Sequence, residues 1–119
     1  MSHAVGGRFP FYHGEVNAVL LPYIMEFNLI ACPERFSFIT ELLGEDITGL
    51  SSIEAGRKGI HYVRQLSLDI GVPQRLSEMG NVEPYISEMS KIALEDACMI
   101  TNPRDITLND VEALFKLAL

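Results

Sequence analysis

The sequence predicts an all-α fold of about six helices joined by short connections. No segment alternates apolar and polar residues over the length of a strand, as a half-buried strand would require. Apolar residues instead recur at spacings of three and four, and capping residues, glycines and prolines stand where these runs begin and end. No internal repeat, low-complexity tract or linker divides the chain, so residues 1–119 are expected to form a single helical domain.

Size and charge narrow the classes of function. The chain has 119 residues, of which 48% are hydrophobic, so one domain can bury a substantial apolar core. Its 16 acidic residues outnumber its 9 basic ones, which gives a net charge of −7, and no block of Lys or Arg stands out. A surface that follows phosphates needs clustered positive charge, so the sequence argues against binding to DNA, RNA or anionic membranes.

The cysteines and the apolar segments indicate a soluble protein in a reducing compartment. Cys32 and Cys98 lie far apart in the chain, which argues against a disulfide framework or a thiolate zinc site. No charged segment followed by an apolar one, typical of a signal peptide, opens the chain. The longest apolar stretch, residues 18–31, is well short of the roughly 20 residues of a membrane span. A cytoplasmic location is therefore expected.

The first two segments differ in their expected structure. Residues 1–12 are expected to be irregular, because Gly6 and Gly7 permit unusual backbone angles and Pro10 disfavours a helix before it. From residue 14 to residue 28 nearly every position is apolar. This pattern predicts a buried helix, kinked near Pro22, rather than an amphipathic surface helix.

Two amphipathic helices are predicted next. Pro33 suits the first position of a helix over residues 33–43, and Gly44 can end it in the left-handed conformation. Ser51 and Glu54 have the spacing of a capping box, which begins a helix over residues 52–70. The core-facing residues are expected at helical spacings: Phe36, Ile39, Leu42 and Leu43 in the first helix, and Ile53, Ile60, Val63, Leu66 and Ile70 in the second.

Three helices are predicted in the rest of the chain. A short helix over residues 73–79 is closed by a glycine, and a longer one over residues 84–100 is ended by Asn102 and the proline after it. The last helix begins at Thr107, whose hydroxyl can accept a hydrogen bond from the backbone N–H of Asp110.

The residue pattern alone leaves the chemistry open. No glycine-rich phosphate loop is present. His3 and His13 flank the glycine pair, and imidazole is a common metal ligand, although two hydrogen-bonded turn histidines would explain the pattern without any metal. His61 is expected on a solvated basic helix face. Cys98 is expected to be a buried, unreactive thiol, because no histidine or cation adjoins it in the sequence.

Five motifs stand out along the chain: HAVGG at residues 3–7, HGEVNAVLLP at 13–22, EFN at 26–28, DIGVP at 69–73 and NPRDIT at 102–107. In this order they resemble landmarks of the iron-containing (group III) alcohol dehydrogenases, and the resemblance extends over almost the whole chain. The second motif is the most specific, because so long a defined run is hard to obtain by chance. The resemblance implies the later part of that family's all-helical C-terminal domain, whose fold is dehydroquinate-synthase-like, without the N-terminal nucleotide-binding domain.

The resemblance also implies site residues. In that family an Asp and three His of the helical domain hold a divalent metal, Fe²⁺ or Zn²⁺, beside NAD(P). His13 corresponds to the last of the three histidine ligands, and His3 to a catalytic-site histidine that lies near the nicotinamide and is not a ligand. Cys98 corresponds to a residue that lines the alcohol pocket. The other three ligands would precede residue 1, so the chain is expected to be inactive alone and to bind neither metal nor NAD(P) by itself.

Other functions and partners stay open at this point. The chain could be a helical protein-interaction module, or one half of a split alcohol dehydrogenase that a separate N-terminal half completes. A homodimer or higher oligomer is also expected, with residues 9–30 in the interface. Phe9, Phe11, Tyr12 and the helix after them would expose more apolar surface than a few short neighbours can cover.

Overall fold

The computed structural model describes all 119 residues and confirms the all-α class, with seven α-helices, two short 3₁₀ turns and no strand. The molecule measures 44 × 31 × 19 Å along its principal axes. None of its helices is both long and apolar enough to cross a membrane. The helices are α1 (Ser2–Arg8), α2 (His13–Leu29), α3 (Pro33–Leu42), α4 (Ser52–Asp69), α5 (Leu76–Met79), α6 (Ile86–Leu94) and α7 (Leu108–Leu117), and the 3₁₀ turns cover Glu83–Tyr85 and Ala97–Thr101.

The larger of two apolar cores is built mainly from α1, α2, α5, α6 and α7. It contains 13 buried residues, among which Leu76, Met89 and Phe115 are completely enclosed. Burying a side chain of this size contributes about 1.5–3 kcal/mol relative to leaving it in water. This core therefore fixes how α1 and α6 lie against α2, which positions the residues described below.

The second half of α2 belongs to a smaller core, which it shares with α3 and α4. Three buried residues, Leu29, Phe36 and Ile60, form its centre, and Met25 and Cys32 pack at its edge. Helix α2 is thus the only helix that contributes buried residues to both cores, and it joins them into one structure.

Helices α3 and α4 approach each other closely because α4 presents glycine to α3. A Cβ atom added to Gly59 would lie 2.2 Å from Thr40 Oγ1. The Thr40 hydroxyl lies 2.9 Å from the carbonyl oxygen of Phe36 and 2.8 Å from that of Ala55, so its one proton is shared between the two helices. Only a residue without a side chain fits opposite this buried hydroxyl.

The helix ends follow the predicted signals. The Ser51 hydroxyl accepts from the Glu54 backbone N–H at 3.3 Å, and the Glu54 carboxylate accepts from the Ser51 backbone N–H at 2.9 Å. The same reciprocal pair joins Thr107 and Asp110 at the start of α7, at 3.3 and 2.9 Å. Gly44 has φ 87° and follows α3 in the left-handed conformation. These three predictions are confirmed.

The prediction of an irregular start over residues 1–12 is wrong for its first part, because Ser2–Arg8 form α1. Gly6 and Gly7 lower the helix propensity of this segment, but Ala4 and Val5 are buried in the larger core. The packing of α1 on α2 and α6 therefore outweighs local propensity.

The predicted helix over residues 84–100 is interrupted. Only Ile86–Leu94 is α-helical, and a separate 3₁₀ turn follows after Asp96, whose backbone is extended. The Asp96 carboxylate accepts from the backbone N–H of Cys98 at 2.9 Å and so caps the new turn. A side chain that caps a following turn competes with continuation of the helix, which explains the break.

The predicted core-facing residues of α3 and α4 are partly wrong, although both helices exist. Phe36 and Ile60 are buried as expected. The inner faces otherwise consist of small or polar residues, because the close approach at Thr40 and the glycines leaves no room for larger ones. Several large apolar residues assigned to the core are therefore exposed, namely Ile39, Leu42, Ile53, Leu66 and Ile70.

The expectation that residues 9–30 present a broad uncovered apolar surface also needs correction. Phe9 and Phe11 pack against the larger core and stack on each other with ring centroids 5.0 Å apart. Helices on several sides cover most of α2, and the large apolar residues that stay exposed in this segment are Tyr12, Leu21 and Ile30.

Replacing Gly59 with Ala should destabilise the chain although alanine is the better helix former. The added methyl group would displace the Thr40 hydroxyl from its carbonyl partners, and overpacking of this kind costs about 1–3 kcal/mol. Gly6→Ala is the matched control, since a Cβ there meets nothing within 4 Å, and it should stabilise by about 0.4–1 kcal/mol. Urea unfolding measures both changes, and equal midpoints for the two variants would contradict the close packing.

Candidate functional site

The structure brings His3 and His13 together where α1 and α2 begin. Their imidazole rings stack with centroids 5.1 Å apart and planes inclined by 12°. Both side chains lie at the surface, while Ala4 and Val16 beside them are buried in the larger core and hold the two helices in register. The two histidines therefore lie in helices rather than in a turn, and their side chains are in contact.

Asp96 connects this pair to the 3₁₀ turn after α6. The His3 Nδ1 atom lies 2.6 Å from Asp96 Oδ2, and the backbone N–H of Cys98 donates to Asp96 Oδ1 at 2.9 Å. These contacts lower the pKa of Asp96 to about 2, the backbone N–H of Cys98 contributing most and the His3 side chain next. Asp96 is therefore ionised at neutral pH and holds an acceptor against His3.

Cys98 is exposed, so the prediction of a buried thiol is wrong. The reason is that the helix ends before this residue, and the 3₁₀ turn carries its side chain to the surface. Hydrogen bonding to the Asp96 carboxylate, together with its negative charge, raises the pKa of the Cys98 thiol above its usual value. The protonated thiol is the form expected at neutral pH.

A small, mostly apolar cavity of about 160 Å³ lies beside Cys98. A volume of this order is enough for a small organic molecule. Its walls come from the 3₁₀ turn and the loop after it, from α2 and from the start of the chain: Met1, Ile24, Phe27, Cys98, Met99, Asn102 and Ile106.

A pair of asparagines fixes the loop that carries this wall. Asn28 Nδ2 donates to Asn102 Oδ1 at 2.8 Å, and Asn102 Nδ2 donates to Asn28 Oδ1 at 2.9 Å. The Arg104 guanidinium donates to the Phe27 carbonyl oxygen at 2.8 Å and lies 3.9 Å from the centre of the Phe27 ring. The end of α2 thus anchors the loop after the 3₁₀ turn, while the start of α2 carries His13.

The chain's own residues fit only one ligand position of the metal site that the sequence resemblance implies. One group of three ligating side chains has all its ligand atoms within 4.8 Å of one another, namely His3, Asp96 and Cys98, and it does not include His13. Both Asp96 oxygens already accept hydrogen bonds in that group. The remaining ligands around His13 would have to come from outside the chain, because stable sites need three or four.

Sequence reasoning placed His3, His13 and Cys98 as site residues but missed Asp96. The signal in the sequence is a pair of carboxylates, Glu95 and Asp96, near the C-terminus of the predicted helix over residues 84–100. Negative charge there opposes the helix dipole. A helix that ends at Leu94, with Asp96 capping the next turn, removes this conflict.

Comparison with known proteins gives one consistent result. The chain matches the Fe-containing alcohol dehydrogenase family, C-terminal, over residues 1–119. It is 44% identical over 118 residues to 1,3-propanediol dehydrogenase from Klebsiella pneumoniae, and this alignment covers 99% of the chain and 30% of that protein. It is 41% identical over 119 residues to NAD-dependent methanol dehydrogenase from Bacillus methanolicus, and this alignment covers 100% of the chain and 31% of that protein.

Solved structures agree with the sequence matches. A crystal structure of 1,3-propanediol oxidoreductase superimposes with a TM-score of 0.97 at 43% identity, over 99% of this chain and 31% of that one. An alcohol dehydrogenase from Oenococcus oeni superimposes with a TM-score of 0.95 at 37% identity, over the same shares of the two chains. The chain thus spans about 30% of the length of the relatives it matches.

Cys98 should react slowly with iodoacetamide, and Asp96→Asn should accelerate the reaction. Removing the negative charge lowers the pKa of the thiol, so the thiolate fraction at pH 8 rises and the pH profile of the rate moves to lower pH. Mass spectrometry separates Cys98 from the half-buried Cys32. Asp110→Asn, which changes another capping carboxylate, is the control, and an unchanged Cys98 rate in Asp96→Asn would contradict the coupling.

Proposed function

The chain belongs to the Fe-containing alcohol dehydrogenase family as its C-terminal domain, and on this basis we propose that it forms one wall of an active site that interconverts alcohols and aldehydes with NAD(P). The observation that carries the proposal is the stacked pair of His3 and His13, with ring centroids 5.1 Å apart, which Asp96 connects to Cys98 and its cavity. His13 and His3 correspond by motif to positions that face the metal and the nicotinamide in the family, and Cys98 corresponds by its place in the chain to a position that lines the alcohol pocket.

In the proposed site each of the three side chains has a separate task. His13 supplies one imidazole ligand to a divalent metal, whose chemistry when bound is to polarise the substrate oxygen. His3 stands beside it and can accept the proton of the alcohol. Cys98 lines the cavity proposed to hold the carbon chain of the alcohol. The apolar walls of this cavity and its volume of about 160 Å³ favour small aliphatic alcohols.

The isolated chain is proposed to be inactive and to hold neither metal nor NAD(P) by itself. Two arguments support this. Dinucleotides are usually bound by a strand–helix–strand unit, and this chain is all-helical. His13 offers a single ligand where stable metal sites use three or four. We also propose a cytoplasmic location, because the two free cysteines would persist as thiols in a reducing compartment.

A second candidate function is one half of a split alcohol dehydrogenase, completed by a separately made upstream half. The observation that favours it is that α3 and α4 leave several large apolar side chains exposed, among them Phe38, Leu42, Leu66 and Leu68. Large apolar residues that a fold leaves in water in such number are typical of a contact surface.

Purified chain should show no aldehyde-dependent NADH oxidation above background. The same chain, substituted for the matching 30% of the Klebsiella pneumoniae 1,3-propanediol dehydrogenase, should give Fe²⁺-dependent oxidation of 1,3-propanediol. In that chimera His13→Ala should lower turnover by several orders of magnitude, because a metal ligand is lost. Adding the chain to the separately made upstream part tests the split form of the proposal.

His61→Ala in the chimera is the matched control, because His61 is an exposed histidine on α4 outside the cluster, and it should leave turnover within a factor of two. Equal turnover of the two histidine variants would contradict the role of His13. A folded but inactive chimera would favour the interaction-module function instead.

Self-association is proposed through the exposed apolar residues in the segment 9–30, chiefly Tyr12 and Ile30, which are 80% and 69% exposed. The corrected packing leaves less apolar surface here than the sequence predicted. Each 100 Å² of apolar surface covered contributes about 2.5 kcal/mol, so a dimer needs several such areas to offset the cost of association.

Light scattering at tens of micromolar should therefore report a dimer or larger species, and the double variant Tyr12→Lys, Ile30→Lys should be monomeric. Ile100→Lys is the control: this residue is 86% exposed and lies outside the segment, so its substitution should leave the mass unchanged. A monomeric native chain, or a double variant that still associates, would contradict the proposed interface.

A further inference from the structure

We propose that Asp96 is a positioning residue that holds the His3 imidazole in the tautomer with the proton on Nδ1, so that Nε2 offers a lone pair. This inference rests on the proposed function, in which His3 faces the substrate and the cofactor. The carrying observation is the separation of 2.6 Å between His3 Nδ1 and Asp96 Oδ2. A carboxylate only accepts hydrogen bonds, so the nitrogen opposite it must be the one that carries the proton.

Asp96 is the fixed member of this pair. Its side chain is 15% exposed, against 59% for the side chain of His3. Its second oxygen, Oδ1, accepts the backbone N–H of Cys98 at 2.9 Å, which sets the carboxylate plane. The loop that follows is tied to α2 by the reciprocal amide pair of Asn28 and Asn102. The more exposed imidazole is therefore oriented by a carboxylate that the fold has already placed.

The other ring nitrogen of His3, Nε2, makes no hydrogen bond within the chain. The ring face stacks on His13 with planes inclined by only 12°, which restricts rotation of His3 about its side-chain bonds. One nitrogen held by a carboxylate, one face held by an imidazole and one nitrogen left open describe an oriented proton acceptor. Carboxylate–imidazole pairs fix tautomer and ring orientation in this way in other sites.

A purely structural role for Asp96 would require only the capping contact. That contact uses Oδ1, whereas His3 uses Oδ2, so the two roles occupy different atoms. Asp96→Asn separates them. Asparagine is an equally good cap through its oxygen, and this leaves its NH₂ group facing His3. The reversed orientation of the amide would set its NH₂ group against the Cys98 N–H, donor against donor. With the NH₂ group facing His3, the Nδ1 atom of His3 must accept a hydrogen bond, so the ring proton moves to Nε2.

The test uses the full 119-residue chain labelled with ¹⁵N, without metal or cofactor, at pH 8, where most imidazole is neutral. Long-range ¹H–¹⁵N spectra report which ring nitrogen carries the proton, and loss of the His3 signals in His3→Gln assigns them. Native protein should show the Nδ1–H tautomer at His3, Asp96→Asn the Nε2–H tautomer, and Asp96→Ser, which caps but does not reach His3, a mixture like that of exposed His61.

Asp110→Asn, which alters the carboxylate in the capping box of α7, should leave the His3 tautomer unchanged, and circular dichroism verifies that each variant is folded. An Nε2–H tautomer in the native chain, or an unchanged tautomer in folded Asp96→Asn, would overturn the inference. Because the measurement involves no turnover, its failure would leave the proposed function untouched, and an inactive chimera would leave the tautomer result untouched.

Discussion

The burial of α2 is the constraint on which the rest of the structure depends. This helix is apolar on nearly every side, so no single neighbour can cover it, and two groups of helices do so at its two halves. The first half lies among α1, α6 and α7, and the second half lies against α3 and α4. Segments that precede and follow α2 in the chain therefore both pack against it.

The candidate site is a product of the same constraint. The first residue of α2 is His13, and the packing of α1 on that end of the helix brings His3 to within stacking distance. Near its other end, Asn28 holds the loop that follows the 3₁₀ turn of Cys98. One rigid helix thus positions both the histidine pair and the turn of Cys98, although His3 and Asp96 are 93 positions apart in the chain. The hydrogen bond between His3 and Asp96 is the only one that directly joins the histidine pair to that turn.

Helix positions were predictable from the sequence where the cause is local. Ser51, Thr107 and Gly44 act through neighbours within a few residues, and all three behave as their type and spacing require. The residues that face inward were predictable only where the largest apolar side chains of a helix are the buried ones. At the contact of α3 with α4 the buried Thr40 and Gly59 invert the usual rule, because close approach of two helices favours small side chains. Such an approach depends on the partner helix, which periodicity within one segment cannot reveal.

The site shows the complementary limit. His3 and His13 were recognisable because a motif carries each of them, and Cys98 only by its position between two motifs, whereas Asp96 acts through a contact across 93 residues that no local pattern encodes. The only indication of Asp96 in the sequence was that two adjacent carboxylates stand near the C-terminus of a predicted helix, where negative charge is unfavourable. Sequences agree with their folds at most positions, and the exceptions tend to collect where a residue serves something other than local structure. Asp96 ends a helix early, caps the turn that exposes Cys98 and binds His3, so one unfavourable residue accounts for three features of the site.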